Sequence, residues 1–152
     1  MKNPKPKATN RLATLALMSA VCQPVAAMEP TRISDCPTSP NCVSSLAKDE
    51  AHKIAPIPFD GTPDAAFALL KQAIAGEART RIVEEQQDQW YLHAEATSLV
   101  FRFVDDVEFQ LDPERKLLHL RSASRVGYSD LGVNRRRIER LRVALGKLGF
   151  WR

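Results

Sequence analysis

Two alternations of apolar and polar residues, set back to back, constrain this chain more than anything else in it. Phe101, Phe103, Asp105, Val107, Phe109 and Leu111 fall on one side of an extended chain. Arg102, Val104, Asp106, Glu108 and Gln110 fall on the other. After the turn-opening pair Asp112-Pro113, a second alternation runs from Leu117 to Val126. The spacing predicts strands over 99–111 and 117–126, joined as an antiparallel hairpin with one face turned to a core. The phenylalanines mark that face.

A side-chain period of two also fixes the register. Phe109 opposite Leu120, Val107 opposite Ser122 and Asp105 opposite Ser124 keeps the apolar rows together. The same pairing sets Glu108 opposite Arg121 on the outer face, and Asp106 opposite Ala123, diagonal to Arg121 and Arg125. A slip of one residue would put phenylalanines against His119 and Arg121. Asp105 then stands in an apolar row, where an unpaired carboxylate is costly. It needs a partner: Ser124 across the hairpin, an arginine or Tyr128.

The flanking segments complete the fold class. Thr62 to Ala78 reads as an amphipathic helix, with Thr62 as N-cap, Pro63 at the first helical position and Phe67, Leu70, Ile74 and Ala78 at helical spacing. Residues 81–85 and 90–97 read as strands around the polar turn QQDQ, with Trp90, Leu92, Ala94 and Ala96 inward. Tyr91, His93, Glu95 and Thr97 form a solvated face. Residues 131–148 form a closing helix capped by Ser129 or Asp130, with Asn134, Ile138, Leu141, Leu145 and Leu148 as its inner stripe and Gly146 and Gly149 at its end. Phe150 and Trp151 then tuck back. No βαβ alternation occurs. The predicted class is therefore α+β: an antiparallel sheet of about four to five strands, two helices on one face, in the order α-β-β-β-β-α.

Before this domain, at 61–152, lies an irregular proline-rich arm over 28–60, with a short edge strand at 54–57. Before that, Lys2, Lys5, Lys7 and Arg11 precede the apolar run Leu12–Val21 and the small-residue site Val25-Ala26-Ala27. This pattern predicts a secretory signal peptide cleaved after Ala27, and hence a periplasmic or secreted protein. Lipid attachment at Cys22 fits less well, because Val21 is larger than the residue usual before a lipidated cysteine. The signal holds four of the 22 basic residues and none of the 18 acidic ones, so the remainder carries 22 − 4 = 18 against 18. The chain's positive charge belongs to the export signal. Nucleic acid is not an expected partner, and no later apolar run is long enough to span a bilayer.

The same cut leaves Cys36 and Cys42, an even pair in an oxidising compartment. A disulfide closing CPTSPNC would contribute somewhat less than the ~3 kcal/mol of a 15-residue loop. A metal site at Cys36, Cys42 and His52 lacks knuckle spacing and a fourth ligand.

Chemistry-bearing residues crowd where the second strand leads into the closing helix. Asp105, Arg121, Ser124, Arg125, Tyr128, Asp130 and Asn134 form a candidate ligand-binding set. Hydroxyls, arginines and a helix start together suit a small polar or anionic ligand. The same residues equally suit a structural lock between helix and sheet. Arg135, Arg136 and Arg137 point in different directions around a helix and make no single basic patch. Nucleophile-elbow, phosphate-loop, metalloprotease and dinucleotide motifs are all lacking, so no cofactor is implied. His93 with Glu95, and Asp106 with Glu108, are weaker acid/base pairs.

The motifs CPTSPNCVSS at 36–45, YLHAEATS at 91–98, FRFVDDVEF at 101–109 and RSASRVGYSDLGVNRRRIE at 121–139 carry a resemblance. Over about 36–145 the chain resembles the domain of unknown function 1499 family, found in bacteria and plants and often exported or lumenal. The resemblance implies no activity, cofactor or catalytic residue. Three readings follow. The first is non-catalytic binding of a small polar ligand or an envelope protein at the strand–helix junction. The second is a hydrolase or isomerase using Asp105 or Asp106. The third is an envelope structural or assembly protein.

Overall fold

The computed structural model describes residues 31–99 and 101–152, so the expected signal sequence lies outside the described residues. Its elements are strands β1 (Cys42–Ser44) and β2 (Ile57–Pro58), helix α1 (Pro63–Gly76), strands β3 (Thr80–Gln86), β4 (Tyr91–Thr97), β5 (Val104–Asp112) and β6 (Leu117–Ser124), and helix α2 (Val133–Lys147). They form one antiparallel sheet in the order β1-β6-β5-β4-β3, with β2 also on β6. The α+β class with two helices on one face holds.

The β5–β6 hairpin adopts the register that patterning predicts: Phe109 faces Leu120, Val107 faces Ser122, Asp105 faces Ser124 and Glu108 faces Arg121. Its apolar row meets Phe67, Leu70 and Ile74 of α1 and Ile138, Leu141 and Leu145 of α2 in one buried cluster. Each such side chain contributes about 1.5–3 kcal/mol by leaving water. Thr62 caps α1, its hydroxyl accepting from Ala65 N–H, with Pro63 at the first turn.

Several expectations need correction. The β5 strand starts at Val104, five residues later than the alternation suggests. Its partner β4 ends at Thr97, so the described residues between the two strands, 98–99 and 101–103, have no ladder to join. Phe101 and Phe103 therefore stand exposed instead of in the core. Trp90 turns inward onto the core as expected but precedes the strand. It sits after the single-turn 3₁₀ segment Gln87–Gln89, in a left-handed conformation at φ 52°, and packs edge-on against Phe67. The helix α2 runs through Gly146, whose missing side chain admits Trp151: a Cβ there would lie 3.0 Å from the indole. Gly149, at φ 78°, makes the actual stop.

The arm is more ordered than its prolines suggest. The Cys36–Cys42 disulfide forms, with Cα atoms 5.7 Å apart. It delivers Cys42 into β1, which pairs with one end of β6 while β2 pairs with the other. These two short segments cover the β6 edge. Upstream, residues 31–34 cross the outer face of the sheet, so Tyr91 is buried rather than solvated, and Glu108 beside it is buried too.

Candidate functional site

Asp105, Ser122 and Ser124 project from the inner face beneath the first turn of α2. That turn is built by Asp130, whose carboxylate accepts from Gly132 N–H at 2.9 Å and Asn134 N–H at 2.7 Å. Leu131 at φ 52° and Gly132 at φ 76° reverse the chain into the helix. Asn134 is fully buried and uses all its hydrogen-bonding capacity. Its Oδ1 accepts from Ser122 Oγ at 2.6 Å and Arg137 Nη1 at 2.5 Å. Its Nδ2 donates to Asn41 O at 2.9 Å and Ser124 Oγ at 3.0 Å. Arg137 is the partner Asp105 requires, joined through Nη2 and Oδ2. The inner half of the junction is a buried hydrogen-bond network joining groups from the arm, β5, β6 and α2.

The outer half consists of two ion-pair clusters. Arg121 Nη1 donates to Glu108 Oε2 at 2.8 Å. The other Glu108 oxygen accepts from Tyr91 Oη at 3.1 Å and Ser34 Oγ at 3.0 Å. Burial, reinforced by the Glu108 charge, pushes the Tyr91 hydroxyl well above its ordinary pKa. Nearby, Arg125 donates to both Asp106 oxygens, at 2.9 and 2.7 Å, and to Glu95 at 2.6 Å. Glu95 also takes Arg81 at 2.6 Å, and Asp106 takes His93 at 2.8 Å. The Arg125 guanidinium holds both carboxyls below the usual carboxylate range. In return, their hydrogen bonds raise Arg125 further above its own.

Residues 32–145 match the family described as Protein of unknown function (DUF1499). The chain belongs to that family. No curated protein and no solved structure matches it.

The DUF1499 domain divides the predicted set in three. Asp105, Ser124, Asn134 and Asp130 join the inner network and helix cap. Arg121 and Arg125 belong to the outer face. Tyr128 belongs to neither and stands exposed on the β6–α2 loop. Sequence reading missed Arg137 and Asn41 of the inner network, and Tyr91 of the outer one. Only Arg137 left a signal, since its place one turn before Leu141 puts it on the helix's inner stripe.

Two features around this junction were not anticipated. At the same end of the sheet, the loops 98–103 and 125–132 emerge from the neighbouring strands β5 and β6, where Arg125 N–H donates to Val104 O, the first residue of β5, at 3.4 Å. They carry Leu99, Phe101, Phe103, Val126, Tyr128 and Leu131, all exposed; Phe101, Tyr128 and Leu131 are 74%, 77% and 84% accessible. The Phe101 and Phe103 rings stack at 5.5 Å, 19° from parallel. Ser98 closes this loop, donating N–H to Phe103 O at 2.8 Å and accepting Phe103 N–H on Oγ at 2.9 Å. Arg102, at φ 54°, takes the strained central position. At the opposite end, a cavity of about 830 Å³ opens between the arm and the hairpin turn, lined in part by Arg32, Trp90, Arg115 and His119. Burial lowers the His119 pKa, favouring the neutral ring.

Among the described residues, no group of three or more His, Cys, Asp or Glu side chains is placed to hold a metal ion. No described helix is long and apolar enough to cross a membrane.

Proposed function

We propose that this DUF1499 domain is an exported, non-catalytic binding module that makes its contacts at the strand–helix junction, through the loops 98–103 and 125–132. One observation carries the reading: six large apolar side chains stand exposed on these two loops, whereas single exposed apolar residues are normal. The inner network supports them. It anchors α2 to β5 and β6 and so fixes where both loops emerge. Export rests on the residue 1–27 pattern, with Met28 as the first residue of the processed chain.

Acid/base catalysis draws less support. A general acid near neutral pH needs a raised carboxyl pKa, and Arg125 lowers that of Asp106. Asp105 is buried and ion-paired to Arg137. A small polar ligand remains a second reading, and what favours it is the cavity beside Arg115 and His119.

The test is site-specific photo-crosslinking in the living source cell, with the crosslinking residue at Phe101 or Tyr128 and, as control, at Val83 on the bulged β3 edge. The reading expects a discrete adduct, protein or lipid, from the two loops and none from Val83. Equal or absent adducts at all three positions would refute it.

A further inference from the structure

We infer that the surface these loops engage is an anionic lipid bilayer, which the junction wets with a wedge of aromatic and aliphatic side chains. The inference rests on the binding reading above and specifies its partner. Shape is the first argument. Phe101 and Phe103 stack at the tip of a hairpin loop, and Tyr128 and Leu131 ride on the neighbouring loop, turned by left-handed residues at Gly127, Leu131 and Gly132. The apolar groups are thus carried on projecting tips.

Charge is the second argument. Arg102 lies between the two stacked phenylalanines and is exposed. Arg79 flanks the same loop, its Nε donating to Thr97 O at 3.2 Å. Arg136 flanks the other, its Nη1 donating to Leu131 O at 2.9 Å. The carboxylates beside them are committed elsewhere: Asp106 and Glu95 to Arg125, Asp130 to the backbone of α2. An apolar tip ringed by guanidinium groups matches an interface in which acyl chains lie below anionic headgroups. Arginine stems also run along apolar surface while their heads stay in water. The balanced charge of residues 28–152 gives no general attraction to membranes, so any binding must be local to this end.

The experiment uses the processed chain with its disulfide intact, sedimented with vesicles of phosphatidylcholine alone or of phosphatidylcholine with phosphatidylglycerol. The expected result is partition onto the anionic vesicles, weakened by salt. Phe101→Ser combined with Phe103→Ser should weaken it by about tenfold or more, and Arg102→Glu by about fivefold or more. Val143→Ser, on an exposed position of α2, should leave it unchanged. Thermal melts check that each variant folds. No partition onto either vesicle, or partition indifferent to the loop variants, overturns the inference. If vesicles fail but Phe101 still crosslinks to a protein in cells, the lipid assignment falls and the binding reading stands. If both fail, so do both.

Discussion

The buried pair Asp105–Arg137 offers a quantitative test of how the junction is held. Both residues are nearly inaccessible, at 5% and 9%. Arg137 also donates to Ser122 Oγ at 2.9 Å and Asn134 Oδ1 at 2.5 Å. Removing one partner strands a buried charge, which costs about 3–5 kcal/mol. Asp105→Leu and Arg137→Met should each lose about that much, roughly a fifth or more of the ~5–15 kcal/mol typical of a domain. The double variant removes both charges. Asn134 Oδ1 still accepts from Ser122, so the residual cost is about 1 kcal/mol, that of a lost hydrogen bond. Urea titrations followed by circular dichroism measure all four proteins. At about 3–5 °C per kcal/mol for a domain of this size, the singles should melt on the order of 10–20 °C lower and the double close to wild type. Additivity of the two singles to within ~0.5 kcal/mol would refute the reasoning, because independent sites add and an ion pair does not.

Two further outcomes follow from the arm. His52 bonds Ser39 O at 3.0 Å through Nε2 and Asp49 Oδ1 at 2.7 Å through Nδ1. The Ser39 carbonyl, helped by Asp49, raises its pKa above the ordinary value of 6.5. A raised folded pKa contributes stability that is full below the unfolded value and is lost as pH climbs through the folded one. The arm should therefore loosen between about pH 6.5 and the folded pKa, and His52→Gln should remove that dependence in hydrogen exchange of the Ser44 and Ile54 amides. Replacing Cys36 and Cys42 together by serine should lower stability by about 2 kcal/mol through the entropy of the opened loop, read as a lower urea midpoint; an unchanged midpoint would count against that account.

The hairpin register was legible because a one-residue slip would have buried His119 and Arg121. The Thr62-Pro63 start of α1 was legible because a cap and an imino acid have few other uses side by side. Phe101 and Phe103 misled for a physical reason: alternation records side-chain period and says nothing of where the neighbouring strand stops. With β4 ending at Thr97, the continuing pattern had no ladder. Tyr91 misled because the strand carries no sign of a coil lying across it from residues about 60 positions upstream. The arginine run was read correctly as divergent: Arg135 reaches Ala51 and Lys53 carbonyls, Arg136 the Leu131 carbonyl, and Arg137 the core. What sequence could not show was that the third would answer Asp105.

The arm that closes the β6 edge also sets an order of events in folding. Its contacts span 74 residues from Ser34 to Glu108 and 86 from Asn41 to Gly127. The β5–β6 hairpin, by contrast, joins neighbours across a short turn. Closing short loops is fast and distant contacts form slowly. The segment synthesised before the sheet is thus the last to dock on it. The six-residue separation of Cys36 and Cys42 is local, so their bond can form while the arm is still free. Oxidation then delivers a pre-shaped β1 to a hairpin already waiting with an open edge, shortening the interval in which that edge is available to another chain.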